Sequence, residues 1–156
     1  MLSCMESIEE IREQQRVAER AAAAPYVDYP PTPLWYPPLM GLWAFAATVL
    51  FTHPHASGAV RVVGELVLLA AVFALVWWQR RVRGVWPTGR APREIRRVMA
   101  GFVAGTVVVV GLVVGLRVAA NVWVAAGVAL VVVTMGLVWY EKAYARASDR
   151  VRERLA

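Results

Sequence analysis

One acid inside a long apolar stretch is the side chain of this sequence best suited to chemistry. Glu65 lies within residues 60–78, which are otherwise apolar apart from Arg61, one helical turn earlier. Arg117 ends the next apolar stretch along the chain. An ionisable side chain within a membrane is costly and commonly marks a proton relay or an ion site. Polar residues in the flanking loops could join it: His53, His55 and Asn121.

Three roles are open for Glu65, Arg61 and Arg117. A structural ion pair between helices is favoured, because buried charges are commonly paired. In a proton- or ion-coupled transport site, by contrast, Glu65 would titrate and a neighbouring arginine would tune its pKa. A metal site with His53 and His55 is the least favoured, because a two-histidine loop lacks the ligand spacing of known metal motifs. We expect no metal, no cofactor and no catalytic residue, since the sequence contains no recognisable enzyme motif.

The composition indicates where these side chains must be placed. The chain has 156 residues, of which 59% are hydrophobic and 18% charged, whereas soluble domains are about 45–50% apolar and about 25% charged. Residues 98–116 and 122–140 contain no charge, and residues 60–78 are equally long. The remaining span, residues 36–52, reaches a spanning length only if its helix begins near residues 34–36, because residues 39–52 alone number 14. The predicted fold class is therefore all-α: a polytopic membrane protein with a four-transmembrane-helix bundle.

The arginines predict the orientation of this bundle. The formal net charge is +6, and the segment between the second and third spans holds seven arginines against one acid. They are Arg80, Arg81, Arg83, Arg90, Arg93, Arg96 and Arg97. By the positive-inside rule this loop is cytoplasmic, and so are both termini. We interpret it as a topology determinant that contacts anionic lipid headgroups, and not as a nucleic-acid patch.

Helical extensions are predicted at both ends of the bundle. Residues 1–24 form an amphipathic cytoplasmic helix of net charge −2, and residues 141–156 continue the last span with net charge +2. Each helix carries a weak apolar stripe. The first stripe comprises Cys4, Ile8, Ile11, Gln15, Ala18 and Ala22, and the second Tyr140, Tyr144, Ala147, Val151 and Leu155. We predict that the two helices pack together, within one chain or between protomers; the alternative is that each lies against the headgroups.

Two further segments have predicted structural roles. Residues 25–38 contain six prolines and four aromatic residues, which favours an extended interfacial strap. The third span carries two glycine pairs of the type that lets helices approach closely: Gly101 with Gly105 and Gly111 with Gly115. Packing within one chain is favoured over a dimer interface for these glycines.

The sequence therefore predicts a small integral protein of a bacterial plasma membrane. The bacterial origin is inferred from the strong preference for arginine over lysine, which is typical of GC-rich coding. The expected function is that of an accessory or scaffolding subunit, acting through protein contacts at the cytoplasmic face. The expected partner is another membrane protein or a second copy of the chain. The alternative is a small ion- or proton-coupled transporter centred on Glu65.

Overall fold

The computed structural model describes residues 2–28, 30–52, 57–83 and 91–155, and in these ranges all regular structure is helical. The helices are α1 Leu2–Val27, α2 Tyr36–Thr52, α3 Gly58–Arg83, α4 Arg93–Ala119 and α5 Val122–Leu155. The all-α prediction is confirmed.

Three of these helices are long and apolar enough to cross a membrane: Gly58–Val82, Arg93–Ala119 and Val122–Leu155. Each contains an 18-residue window with a mean hydropathy of 2.3 or 2.4. The helix α2 is apolar but has only 17 residues, which corresponds to about 26 Å at 1.5 Å per residue, against a hydrocarbon core of about 30 Å. The chain thus has the character of a membrane protein with three candidate spans, and the fourth span stays a prediction.

Local sequence accounts for the ends of the helices. The helix α2 begins at Tyr36, so that Pro37 and Pro38 fall in its first turn, where a missing N–H has little cost. The Asn121 side-chain oxygen accepts a hydrogen bond from the Val124 N–H at 2.9 Å, so Asn121 is the N-cap of α5, a role for which asparagine before an apolar run is well suited. The helix α1 continues through Pro25 to Val27, so the first residues of the strap segment are helical.

The central helix is α5, against which both α2 and α4 pack, while α3 packs against α2. Small residues let α2 and α5 approach closely. A Cβ atom added at Gly41 would overlap the Thr134 side chain and lie 2.7 Å from the Leu130 carbonyl oxygen. Gly64 similarly lies against Leu50, which joins α3 to α2. Close approach therefore occurs at two isolated glycines of α2 and α3.

A compact region forms where the end of α1 meets the start of α4 and the end of α5. One cluster consists of Ala23, Val27 and Val151, and a second of Tyr26, Ile95 and Ala147. We call these six residues the junction. Ile95 and Val151 are its largest fully buried side chains, with no exposed surface. The predicted pairing of the two terminal helices thus occurs here within one chain.

Candidate functional site

In the described part of the chain, Glu65 forms no ion pair with the arginines predicted to accompany it. Glu65 is exposed on α3 and takes part in none of the ion pairs among the described residues. Arg117 instead donates a hydrogen bond from Nη2 to the carbonyl oxygen of Thr52, at 3.1 Å. Thr52 ends α2, where helix carbonyls lack partners within the helix. Arg117 therefore caps α2 and fixes the end of α4 beside it.

The other members of the predicted cluster have local roles or lie outside the described residues. Arg61 is half-buried in the first turn of α3, and its backbone N–H donates to Ser57 O at 3.0 Å. His53 and His55 lie outside the described residues. In the part of the chain that the structure describes, no group of three or more His, Cys, Asp or Glu side chains could hold a metal ion. The role of Glu65 stays a prediction.

The glycine pairs of α4 face open space in the isolated chain. A Cβ atom built at Gly101, Gly105, Gly111 or Gly115 would meet no atom within 4 Å. The structure therefore does not bring these glycines against another described helix of the same chain. Gly41 and Gly64, where the close approaches occur, are not part of a paired-glycine motif, so no local pattern identifies them.

The arginine-rich segment is described on both sides of residues 84–90. At the end of α3, the guanidinium of Arg81 lies 4.8 Å from the centre of the Trp77 ring, a cation–π contact. On the first turns of α4, Arg93, Arg96 and Arg97 are exposed. The side chains of Arg83 and Arg90 lie outside the described residues.

The densest set of polar contacts surrounds the junction. The Tyr144 hydroxyl donates to the Tyr26 carbonyl oxygen at 2.8 Å, and Arg152 Nη2 donates to the Val27 carbonyl oxygen at 2.7 Å. These acceptors belong to the last turn of α1, whose carbonyls cannot bond within the helix. A positive side chain there also complements the helix dipole. Two residues of α5 thus cap α1.

The capping is reciprocal. Arg20 of α1 donates from Nε to the carbonyl oxygen of Leu155, at 2.7 Å, in the last turn of α5. A further ion pair, Arg154 with Glu94 at 3.7 Å, ties α5 to the first turn of α4. Thr32 donates to the Glu141 carboxylate at 2.7 Å and holds the chain after α1 against α5. Hydrogen bonds in both directions between α1 and α5 therefore fix the orientation of α1, while the other two contacts hold α4 and the segment after α1 against α5.

The stripe predicted on α1 does not form this contact. Ile11, Gln15, Ala18 and Ala22 are all exposed. The buried residues Ala23 and Val27 lie about 100° and about 140° further around the helix than Ala22. On α5, by contrast, the predicted stripe is the one that packs: Ala147 and Val151 are buried and Tyr144 and Leu155 contact the clusters. The sequence thus predicted the partner helices and the face of α5, but the wrong face of α1.

Comparison of the chain with protein-family models, with curated proteins and with solved structures found no match.

Proposed function

We propose that this protein is an accessory or scaffolding subunit of a plasma membrane assembly, which acts through its cytoplasmic face. In this proposal α2, α3, α4 and α5 all cross the membrane and both termini are cytoplasmic. The support is the distribution of charge: seven of the 17 basic residues lie in residues 79–97 and five follow Tyr140. All these residues then lie on the side that the positive-inside rule assigns to the cytoplasm.

The observation that carries the proposal is the contrast between the two parts of α1. Its last turn is buried and capped at the junction, whereas residues 10–22 are exposed throughout. The exposed part spans about 20 Å at 1.5 Å per residue. Within it, the stripe residues Ile11, Gln15, Ala18 and Ala22 are all exposed, and the side chain of Ile11 is 54% exposed.

A helix held at one end is well suited to binding a partner. Because the junction fixes its direction, less conformational entropy is lost when a partner binds than for a freely moving helix. A stripe of this spacing is the pattern that lies in a groove or against a second helix. We therefore assign the partner contact to this face of α1, and the partner to a membrane protein or a second copy of the chain.

Two matched substitutions on α1 test this assignment. Ile11 and Val17 have almost equal exposure, 54% and 55%, but lie on different sides of the helix. Ile11→Glu should abolish recovery of the partner, or self-association, after extraction in a mild detergent, whereas Val17→Glu should leave both unchanged. The proposal is wrong if the two variants behave alike, or if the wild-type protein is a monomer without a stoichiometric partner.

The second candidate function, an ion- or proton-coupled transporter, rests on Glu65. The Glu65 side chain is exposed on a candidate span and forms no ion pair with the described residues. Its carboxylate is therefore able to contact a substrate ion. Purified protein in liposomes with an imposed pH gradient provides the test. Proton-coupled uptake that is lost in Glu65→Gln would favour the transporter over the accessory subunit.

A further inference from the structure

A cleft of about 600 Å³ lies between α1, the start of α4 and the end of α5. Three arginines line it: Arg93 and Arg96 from α4, and Arg154 from α5. One acid, Glu19 of α1, also lines it, so that the charged side chains around the cleft sum to 3 − 1 = +2. The remaining lining residues are small or apolar. The cleft is therefore a positively charged cavity built by three helices.

Two of these arginines are available to a ligand. Arg93 and Arg96 are exposed and take part in none of the ion pairs within the described residues. Arg154 already contacts Glu94, at 3.7 Å, which holds its guanidinium at the cleft. The first turn of α4 has Pro92 as its N-cap residue, with no side-chain hydrogen bond to the helix. The partial positive charge of that helix end adds to the charge of the arginines.

The arginines of the cleft lie a short distance along α4 from its apolar part, which determines their depth in a membrane. The uncharged stretch of α4 begins at Val98, so Arg93 and Arg96 lie about 3–8 Å before it at 1.5 Å per residue. The layer between hydrocarbon and water is about 5–8 Å thick on each side of a bilayer. Where α4 crosses the membrane, its first turn therefore lies at the depth of the lipid headgroups.

We propose that this cleft binds the phosphate group of an anionic phospholipid headgroup. Arg93 and Arg96 contact the phosphate oxygens, since guanidinium groups match phosphate geometry and form charge-assisted hydrogen bonds. Glu19 accepts a hydrogen bond from a headgroup hydroxyl, which phosphatidylglycerol provides and phosphatidylcholine does not. The bound lipid contacts α1 and α4 together and so stabilises the junction. Of the stripe proposed for the partner contact, Ala22 also lines this cleft, whereas Ile11, Gln15 and Ala18 do not.

Binding of lipid to the full-length protein in a neutral detergent tests the proposal. The probes are short-chain phosphatidylglycerol, phosphatidylcholine of the same chain length and inorganic phosphate, and the readout is bound lipid by native mass spectrometry. The test variant is Arg93→Gln with Arg96→Gln. The control is Arg146→Gln with Arg150→Gln, which removes the same charge from exposed positions of α5 outside the cleft.

We expect one phosphatidylglycerol per chain, bound at least tenfold more tightly than phosphatidylcholine. The Arg93/Arg96 variant should lose at least tenfold in affinity, and the control less than threefold. Equal losses in both variants, or equal binding of the two lipids, would overturn the proposal. If inorganic phosphate displaces phosphatidylglycerol at the same concentration at which the lipid binds, the site binds free phosphate and the proposal of a lipid ligand is wrong.

A second variant distinguishes loss of the cleft from a general loss of structure. Ala22→Trp fills the cleft from an exposed position of α1 without changing any charge. It should weaken phosphatidylglycerol binding at least fivefold while the helical circular dichroism signal and the gel-filtration volume stay those of the wild type. Unchanged lipid binding in this variant would count against the cleft as the site.

Discussion

The junction and the outer faces of α3 and α4 use apolar residues in opposite ways. At the junction, Ile95 and Val151 have no exposed surface. On the outer faces, Phe73 is 67% exposed and Val108 is 70% exposed. In water such exposure is unfavourable and drives burial. In lipid it costs little, because the acyl chains are as apolar as the side chains themselves.

This difference indicates which contacts determine the arrangement of the chain. The candidate spans can expose valine and leucine without penalty, so their outer faces carry little information about neighbours. The junction lies beyond the apolar stretches, where carbonyl groups and side chains must find partners or water. Its caps and buried side chains therefore fix α1, and they are where substitutions should have the largest effects.

Truncation of α1 should give the largest effect. Removal of residues 2–27 deletes the buried Ala23, Tyr26 and Val27 together with the carbonyls that Tyr144 and Arg152 cap. We expect a loss of about 4 kcal/mol of unfolding free energy, from burial of these side chains and about 1 kcal/mol per hydrogen bond. The measurement is detergent-induced unfolding followed by circular dichroism.

A shorter truncation provides the control for that experiment. Removal of residues 2–18 leaves every junction residue in place, so the unfolding free energy should change by less than about 1 kcal/mol. If the shorter truncation is as destabilising as the longer one, the exposed part of α1 contributes to stability and the contrast between the two regions is wrong.

An intermediate effect is expected at Gly41. An alanine Cβ there would lie 2.7 Å from the Leu130 carbonyl oxygen, and a backbone atom cannot move aside easily. Gly41→Ala should therefore cost about 2 kcal/mol, the usual range for overpacking. Gly105→Ala, on the open face of α4, should be neutral or slightly stabilising, since alanine is the better helix former. Equal losses in the same unfolding assay would show that the glycine face of α4 is packed.

The smallest effect concerns one hydroxyl group. Tyr144→Phe removes the hydrogen bond to Tyr26 O at 2.8 Å and should cost about 1 kcal/mol. Tyr140→Phe, one turn earlier, removes a hydroxyl that forms no hydrogen bond within the described residues and should change stability by less than about 0.5 kcal/mol. Thermal unfolding of the pair compares a capping tyrosine with one that contributes only its ring.

Features encoded by nearby residues were predictable from the sequence. The start of α2 at Tyr36, the cap at Asn121 and the packing face of α5 follow from proline position, an amide before an apolar run and helical spacing. Each depends on residues within a few turns of one another, where the physical rules are local.

Features that depend on distant residues were not predictable. Alanines occupy both the exposed and the buried side of α1, as Ala22 and Ala23 illustrate, so the pattern does not distinguish the two faces. The buried face is determined by Tyr144 and Arg152, more than a hundred residues away. The arginine cleft likewise combines residues from three helices, and no spacing in one helix reveals it.

Amide hydrogen exchange along α1, measured on the unmodified protein in detergent, tests directly whether α1 is held only at its end. The amides of residues 24 and 26–28 should exchange at least tenfold more slowly than those of residues 10–18, because exposed helical turns without tertiary contacts open readily. A step in protection near Ala23 is the predicted result. Uniform protection along α1, or uniform fast exchange that includes its last turn, would contradict the anchored and exposed parts described above.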